Sequence, residues 1–252
     1  MSYSEVLERA SHSRSRWQRI VLKLSGEALA SSASDEVVDA NVLDQLATEI
    51  VAAKSLLCVE ITIVVGGGNI WRGTTGVGST LERATSDHMG MLATVINALA
   101  LQSAIERKGQ AVRVQSAIQM AELAEPYIRR RAIRHLEKGR IVIFAAGTGS
   151  PYFTTDTAAA LRGAEIGADA ILKGTHSGID GIYSADPKLD HSAIRFEDVS
   201  FMDVVAKELK VMDLTAITFC KDNNLPILVF DIMTAGNILR ALIGEQLGTL
   251  VS

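Results

Sequence analysis

The sequence predicts an α/β protein with a mostly parallel central sheet and helices on both of its faces. Apolar strand-like runs alternate with helical patterns along all 252 residues, and this alternation is typical of parallel sheets covered by helices. Three of the strands end abruptly in glycine, at residues 20–26, 61–69 and 141–149. Loops at the carboxyl ends of neighbouring parallel strands commonly line a ligand crevice.

The first half of the chain is predicted to begin with a βαβ unit. Residues 41–54 carry apolar side chains at helical spacing, between a first strand that begins at Ile20 and a second strand at residues 59–65. The elements predicted next are a long helix over residues 88–107, a short strand over 111–115 and a helix around 126–138.

The second half continues the same alternation. The third glycine-ended strand precedes a helix from residue 154 to about 166, which has Asp156 in its first turn, and a short strand at residues 170–173. Helices and strands then alternate to the end of the chain. Residues 174–187 contain three glycines and a proline, which favours a loop or hairpin over the ligand.

We predict one folded domain over residues 19–252. Residues 1–18 are rich in serine and arginine but have no apolar centre, which favours a disordered or helical tail over a targeting peptide. A boundary near residue 170 would divide the domain into two lobes, residues 19–169 and residues 170–252.

Composition excludes several classes of protein. A net charge of −4 and a pI near 5.8 do not provide the concentrated basic face of a general nucleic-acid binder. Two cysteines imply no disulfide framework and favour a reducing compartment. No apolar run reaches the roughly 18 to 20 residues of a membrane span. We therefore expect a cytoplasmic protein that binds neither nucleic acid nor membrane.

The glycine-ended strands point to phosphate binding, because glycine permits a close approach of the backbone to an anion. The P-loop motif, the dinucleotide motif G-x-G-x-x-G and the kinase H-R-D loop are all absent from the sequence. Lys23 interrupts an apolar strand and therefore needs an anion to face, unless it reaches solvent at the sheet edge. Lys23 and Arg72 would neutralise a transferring phosphoryl group from two sides.

Five motifs in order resemble those of bacterial UMP kinases, which belong to the amino acid kinase superfamily. The motifs are VLKLSGE at residues 21–27, GGGNIWRG at 66–73, DHMGMLAT at 87–94, GTGSPYFTTD at 147–156 and KELKVMD at 207–213. The resemblance runs from about Arg19 to the C-terminus. It implies a three-layer αβα sandwich (the amino acid kinase fold), Mg²⁺-dependent transfer of the ATP γ-phosphoryl group to UMP, and a homohexamer.

The resemblance also implies which residues act. ATP would be bound in large part by the second lobe, and UMP by the first. The residues expected at ATP are Lys23, Leu24, Ser25, Gly26, Gly68, Arg72, Thr175, Tyr183 and Asp186. Those expected at UMP are Gly67, Asp87, Thr148, Gly149, Ser150, Pro151, Tyr152, Phe153, Thr154 and Thr155. The catalytic candidates are Lys23, Asp156, Lys173 and Asp213, with Asp156 organising either the nucleotide-bound Mg²⁺ or a lysine.

Some of these residues have a second interpretation from local chemistry. Asp87 would accept ribose hydroxyls, but it is equally suited to be the N-cap of a helix that begins at His88. Tyr183 would hold adenosine or simply pack within its loop. No general base is expected, because the acceptor oxygen of a phosphate is already ionised at neutral pH.

Three segments depart from the family pattern. Residues 30–38 lack the glycine of a loop associated with GTP activation, which puts that regulation in doubt. Ser150 stands where asparagine is common. The loop at residues 174–182 is about two residues longer than usual, so the alignment of Thr175 is uncertain while Tyr183 and Asp186 follow the insertion.

Two other functions remain open on the sequence. One keeps the fold but phosphorylates a carboxylate or a carbamate, which requires a cationic clamp for the substrate that the threonine-rich loop does not provide. The other is a non-catalytic nucleotide-binding or oxyanion-storage protein, for which the loss of Lys23 or Asp156 would have been evidence. Both residues are present.

Overall fold

A computed structural model describes residues 2–30, 36–73, 78, 80–176, 178–190 and 192–252. The strands are β1 (Arg19–Leu24), β2 (Glu60–Val65), β3 (Val112–Ser116), β4 (Glu125–Pro126), β5 (Ile141–Ala145), β6 (Ala170–Thr175), β7 (Asp198–Val199), β8 (Ile227–Asp231) and β9 (Thr249–Val251). The helices are α1 (Tyr3–Ser11), α2 (Ala40–Leu57), α3 (Arg83–Arg107), α4 (Arg129–Glu137), α5 (Thr155–Ile166), α6 (Phe201–Ala206), α7 (Leu214–Asp222) and α8 (Asn237–Leu242). A 3₁₀ turn, Gly26–Leu29, follows β1.

Within the described residues, the strands form one sheet in the order β4–β3–β5–β2–β1–β6–β8–β9–β7. Every neighbouring pair is parallel except β8 and β9. The carboxyl ends of β1, β2, β5 and β6 therefore lie at one edge of the sheet, and the loops that follow them are neighbours. This confirms the predicted mostly parallel sheet.

Helices cover both faces of the sheet, which makes the molecule a three-layer sandwich. On one face, Ile20, Leu22 and Leu24 of β1 join a buried cluster that includes α1, α2, α3 and α8. On the other face, Val21 of β1 joins a cluster that includes α4, α5, α6 and α7. Because side chains alternate along a strand, Lys23 lies on the second face, which α5 covers. The predicted αβα architecture is confirmed.

Two predicted helix starts were wrong. Helix α3 begins at Arg83 rather than at residue 88, and Glu82 is its N-cap residue. Asp87 therefore lies inside the helix and does not cap it. Helix α4 begins at Arg129, because Pro126 belongs to the short edge strand β4, where a residue without an N–H is tolerated.

The amino-terminal segment is helical and packed. Ser2 and Glu5 form a capping box at the start of α1, and the side chains of Val6 and Ala10 are fully buried against the main core. Of the two forms predicted for this segment, the structure has the helical one. The predicted lobe boundary near residue 170 falls just before β6, and β6 pairs directly with β1 across it. That division stays a prediction.

Helix α3 is the one helix among the described residues with the length and apolar composition of a membrane span. Half of its apolar window is buried inside the protein. Its buried residues, which include Met91, Ala98 and Ile105, belong to the layer that packs on the sheet. These features are those of a core helix.

Candidate active site

The central feature of the site is a pair of lysines on neighbouring strands. Lys23 of β1 and Lys173 of β6 are register partners in the parallel sheet, so both side chains extend from the same face. Asp156, in the first turn of α5, lies between them: its Oδ1 is 2.9 Å from Lys23 Nζ and its Oδ2 is 2.7 Å from Lys173 Nζ. Lys23 is buried, so its charge depends on this anion.

Electrostatics keep the carboxyl group of Asp156 ionised. Burial opposes its negative charge, but the two lysines overcome that effect and hold the pKa of Asp156 well below its usual range. For Lys173, burial is the largest influence and lowers the pKa of its ammonium group, while Asp156 opposes the change. The cluster carries one more positive than negative charge when both lysines are protonated, which suits it to attract an anion.

The first two glycine loops are packed tightly against each other. A Cβ on Gly26 would lie 2.4 Å from Asn69 Oδ1 and 2.8 Å from the carbonyl oxygen of Gly66. Buried Asn97 fixes this arrangement, because its Nδ2 donates to the Gly66 carbonyl at 2.7 Å and to Asn69 Oδ1 at 2.8 Å. Gly26 and Gly66 are thus required for close packing and have no positive φ. Sequence reasoning missed Asn97, because this residue lies in the predicted long helix but outside the five motifs.

The third glycine loop has a different backbone. Ala146, Gly147 and Gly149 all have positive φ, at 62°, 58° and 82°. Thr94 on α3 holds the start of this loop, because its Oγ1 accepts a hydrogen bond from the Ala146 amide at 2.8 Å. Glycine therefore serves conformation here and packing in the first two loops. Tyr152, also in this loop, has a φ of 73°.

A cavity of about 160 Å³ lies between the second and third glycine loops and α3. The residues predicted to bind UMP that line it are Gly67, Asp87, Thr148, Phe153, Thr154 and Thr155. The predicted ATP contact Gly68 also lines it. Gly149, Ser150, Pro151 and Tyr152 do not, although they lie in the same loop. Lining residues that sequence reasoning did not assign are Trp71, Gly73, Ser86, Gly90, Met91, Thr94 and Gly147, most of which lie within the quoted motifs.

A second cavity, of about 300 Å³, lies beside the loop that follows β6. Tyr183 and Asp186 line it, opposite residues 207–210. Of the loop or hairpin predicted over residues 174–187, the described residues form a loop after β6, and Tyr183 forms an isolated antiparallel bridge with Arg195, which lies beyond the predicted range. Thr175 is the last residue of β6 and does not line the cavity. Its hydroxyl lies within hydrogen-bonding distance of the carbonyls of Ile179 and Phe230 and so supports the loop.

The lysine cluster lies close to segments that border both cavities, although none of its three residues lines either one. Thr155, which precedes Asp156, lines the first cavity. Lys173 Nζ donates a hydrogen bond to the carbonyl of Val211, which follows the segment lining the second cavity. Asp156 is thus next in the chain to a residue of the first cavity, and Lys173 contacts the residue that follows the second.

Asp213 acts on the backbone around the site. It is the N-cap of α7, with its Oδ1 accepting from the Ala216 amide at 2.9 Å. Its carboxylate also accepts hydrogen bonds from the hydroxyls of Thr154 and Thr157. Thr154 is in turn the N-cap of α5. Asp213 thus connects the starts of two helices and lines neither cavity.

Arg72 and Glu27 connect the loops after β2 and β1. Arg72 Nη2 lies 2.5 Å from Glu27 Oε1, and the other oxygen of Glu27 lies 3.3 Å from His176 Nε2. Ser25 caps the 3₁₀ turn that carries Glu27. Sequence reasoning assigned no role to Glu27 or His176. Of the segment at residues 30–38, residues 31–35 lie outside the described part of the chain, as does residue 177 in the loop after β6.

Comparison with known proteins identifies the family. The model of the amino acid kinase family matches residues 18–231. A UMP kinase from Bacillus anthracis is 39% identical, with a TM-score of 0.89 over 94% of this chain and 96% of its own. A UMP kinase from Ureaplasma parvum is also 39% identical, with a TM-score of 0.88 over 94% and 99%.

A uridylate kinase from Archaeoglobus fulgidus is more distant, at 29% identity and a TM-score of 0.70 over 92% of this chain and 99% of its own. The family match covers most of the chain, and both 39% identical structures are covered almost completely. The resemblance predicted from the five motifs is confirmed, and the chain belongs to the amino acid kinase family.

Proposed function

We propose that this protein transfers the γ-phosphoryl group of ATP to UMP, giving UDP and ADP. The similarity to UMP kinases over nearly the whole chain supports this substrate pair. The observation that carries the chemistry is the cluster of Lys23, Asp156 and Lys173, which adjoins residues that line or follow the two cavities. Phosphoryl transfer needs two bound phosphate groups in line, with positive charge where negative charge accumulates.

We assign the two cavities to the two nucleotides. UMP would occupy the cavity of about 160 Å³, where the hydroxyls of Thr148 and Thr155 and the glycine backbone offer hydrogen bonds to its phosphate and base. The hydroxyl of Thr154, which also lines the cavity, donates a hydrogen bond to Asp213. The adenosine of ATP would occupy the cavity of about 300 Å³ beside Tyr183 and Asp186. The polyphosphate would then extend along residues 23–26 toward the lysines.

In this mechanism the protein positions the reactants and neutralises charge. Lys23 and Lys173 would bind the oxygens of the transferring group, and Asp156 holds both ammonium groups in place before substrates arrive. The acceptor oxygen of UMP is ionised at neutral pH, so no side chain has to remove a proton. Asp213 would contribute by ordering the starts of α5 and α7 rather than by touching a nucleotide.

Mg²⁺ is expected with the nucleotide rather than in a site built by the protein. Among the described residues, no three His, Cys, Asp or Glu side chains lie close enough together to hold a metal ion. Both oxygens of Asp156 already face lysines. Mg²⁺ commonly binds through substrate phosphates and few carboxylates, and when bound it would neutralise charge on the phosphates. Asp156 would influence that ion through the lysines it orders.

An ADP-release assay tests the proposal. The purified protein, ATP and Mg²⁺ are incubated separately with UMP, CMP, acetylglutamate, aspartate or carbamate, with a reaction lacking acceptor as the baseline. We expect rapid ADP release with UMP and weak release with the others. Turnover with an amino acid or carbamate and none with UMP would contradict the proposal, and no turnover with any acceptor would favour a binding protein.

We further propose a homohexamer in the cytoplasm. An exposed apolar stripe on α3 supports self-association: Leu92 and Ile96 are 53% and 54% exposed and lie one turn apart, with Met89 beside them. Such a stripe is costly to leave in water. Sedimentation equilibrium should give a mass of six 27.0 kDa chains, and Leu92→Glu should lower it. A monomer at micromolar concentration would contradict this proposal.

A further inference from the structure

Arg83 lies at the rim of the first cavity and is paired with a residue that lines it. Arg83 and Asp87 are four residues apart on α3 and therefore adjacent on one side of the helix. Arg83 Nε lies 2.9 Å from Asp87 Oδ1 and 2.8 Å from Oδ2. The side chain of Asp87 is 18% exposed and that of Arg83 is 56% exposed. Asp87 thus faces the cavity while Arg83 approaches it from the solvent side.

The same carboxylate also holds the third glycine loop. The amide of Tyr152 donates a hydrogen bond to Asp87 Oδ2 at 2.7 Å. Tyr152 has a φ of 73°, a conformation that residues other than glycine adopt only when their surroundings impose it. Its side chain is largely exposed, so burial does not impose that conformation. Among the described residues, the polar contacts of Tyr152 are the hydrogen bond to Asp87 and the Arg83 guanidinium, which lies 5.5 Å from the centre of the Tyr152 ring.

We propose that Arg83 is a positioning residue that fixes the acceptor loop through Asp87 and thereby sets the preference for a ribonucleotide over a deoxyribonucleotide. The specificity part rests on the proposed function, since it takes UMP as the acceptor. An ionised carboxylate has about four acceptor positions. Arg83 and Tyr152 occupy three of them, which leaves one for a ribose hydroxyl in the cavity that Asp87 lines.

Charge gives Arg83 a second effect. A carboxylate in a cavity that receives a phosphate would repel the ligand, and a guanidinium in contact with it offsets that repulsion. The alternative is that Arg83 and Asp87 merely stabilise the helix as an exposed pair of the ordinary kind. Helix stabilisation alone would change neither the loop nor the choice of sugar, so the two roles give different results.

Hydrogen–deuterium exchange of the free protein tests the structural part. Arg83→Gln removes the charge and the contacts, while Arg83→Lys keeps the charge but loses the planar guanidinium. Arg107→Gln is the matched control at the other end of α3, where the side chain of Arg107 donates a hydrogen bond to Ser103. We expect the Tyr152 amide to exchange about threefold faster in Arg83→Gln, a change of the size expected when a surface ion pair is lost. In Arg107→Gln its exchange rate should not change. Unchanged exchange in Arg83→Gln would overturn the proposal.

Kinetics test the specificity part. Each variant is assayed with UMP, 2′-deoxy-UMP and 3′-deoxy-UMP, and the analogue that the unsubstituted protein rejects more strongly identifies the hydroxyl at Asp87. Arg83→Gln should raise KM for UMP, leave KM for ATP unchanged and reduce that rejection about threefold, with Arg83→Lys in between. An unchanged preference would overturn the proposal even if exchange is faster. If the unsubstituted protein does not use UMP, the proposed function fails, while the exchange experiment still decides whether Arg83 fixes the loop.

Discussion

Lys23 and Lys173 are register partners on two parallel strands, and their ammonium groups bind opposite oxygens of one carboxylate, that of Asp156. The two lysines are 150 residues apart in the chain yet their charges meet at one point. Two like charges so close together would repel without the aspartate. The arrangement is therefore a preformed, positively charged site for an anion that the fold itself stabilises, and it gives the first prediction.

Lys23→Met should lower kcat by at least about 100-fold, in the range seen when one preorganised stabilising group is lost. The Kd for UMP should change by less than about threefold, because Lys23 faces the transferring group rather than the acceptor cavity. Steady-state kinetics and calorimetric titration measure the two quantities. Lys221→Met, at an exposed lysine on α7, is the control. A normal kcat in Lys23→Met would remove Lys23 from the catalytic role.

Asp156→Asn should destabilise the protein as well as inactivate it. The amide keeps the shape of the side chain but leaves two lysines without their anion, and loss of one partner in a buried ion pair costs about 3 kcal/mol. Urea unfolding measures the difference in the free energy of unfolding. Asp222→Asn, whose carboxylate is 73% exposed, should change it by less than about 0.5 kcal/mol. Equal stability of the two variants would mean that the cluster contributes nothing to the fold.

Glu49 should make stability depend on pH. Burial in α2 raises the pKa of its carboxyl from 4.5 to about 7, with the amides of Gly236 and Ile238 opposing part of the rise. The folded protein therefore holds a proton that the unfolded chain has lost, so stability falls as pH rises from about 4.5 to about 7 and is level above that range.

Replacement of Glu49 should remove this dependence. Glu49→Gln should raise the free energy of unfolding by about 2 to 3 kcal/mol at pH 8 and change it little at pH 4. Thermal or urea unfolding between pH 4 and pH 8 measures the slope. Glu106→Gln, on the exposed side of α3, should leave the slope in place. The same slope in Glu49→Gln would assign the pH dependence to other groups.

Gly26→Ala should inactivate the protein through packing. The added methyl group would lie 2.4 Å from Asn69 Oδ1 and 2.8 Å from two backbone atoms of the second glycine loop, so the two loops would have to separate. Gly109→Ala is the matched control, because it has a φ of +84° and open space around the position. The control should lose about 1 kcal/mol of stability and keep full activity. Full activity in Gly26→Ala would show that the loops tolerate separation.

Much of the fold could be predicted because it depends on local periodicity. The parallel strands, the helices on both faces and the start of α5 at Thr155 follow from patterns within a few residues of each position. The start of helix α3 was predicted five residues too far along the chain, because the first turn, Arg83–Asp87, is polar on the side that carries the ion pair. The contacts of Asp213 could not be predicted for a similar reason, since its hydroxyl partners Thr154 and Thr157 are more than 50 residues away. Its catalytic role stays a prediction.

By itself, the sequence determined the class of fold, the family and the presence of a lysine that requires an anion. The order of the motifs and the alternation of strand and helix patterns are properties of the linear sequence, so they can be recognised without knowing which residues are in contact. Only the tertiary structure decided that Asp156 is that anion, that Lys173 shares it, and that Arg83 and Tyr152 meet at Asp87. Those contacts depend on which strands are neighbours and on the register between them. The hydrophobic pattern shows which face of a strand is buried, but it does not choose the residue that lies opposite on the neighbouring strand.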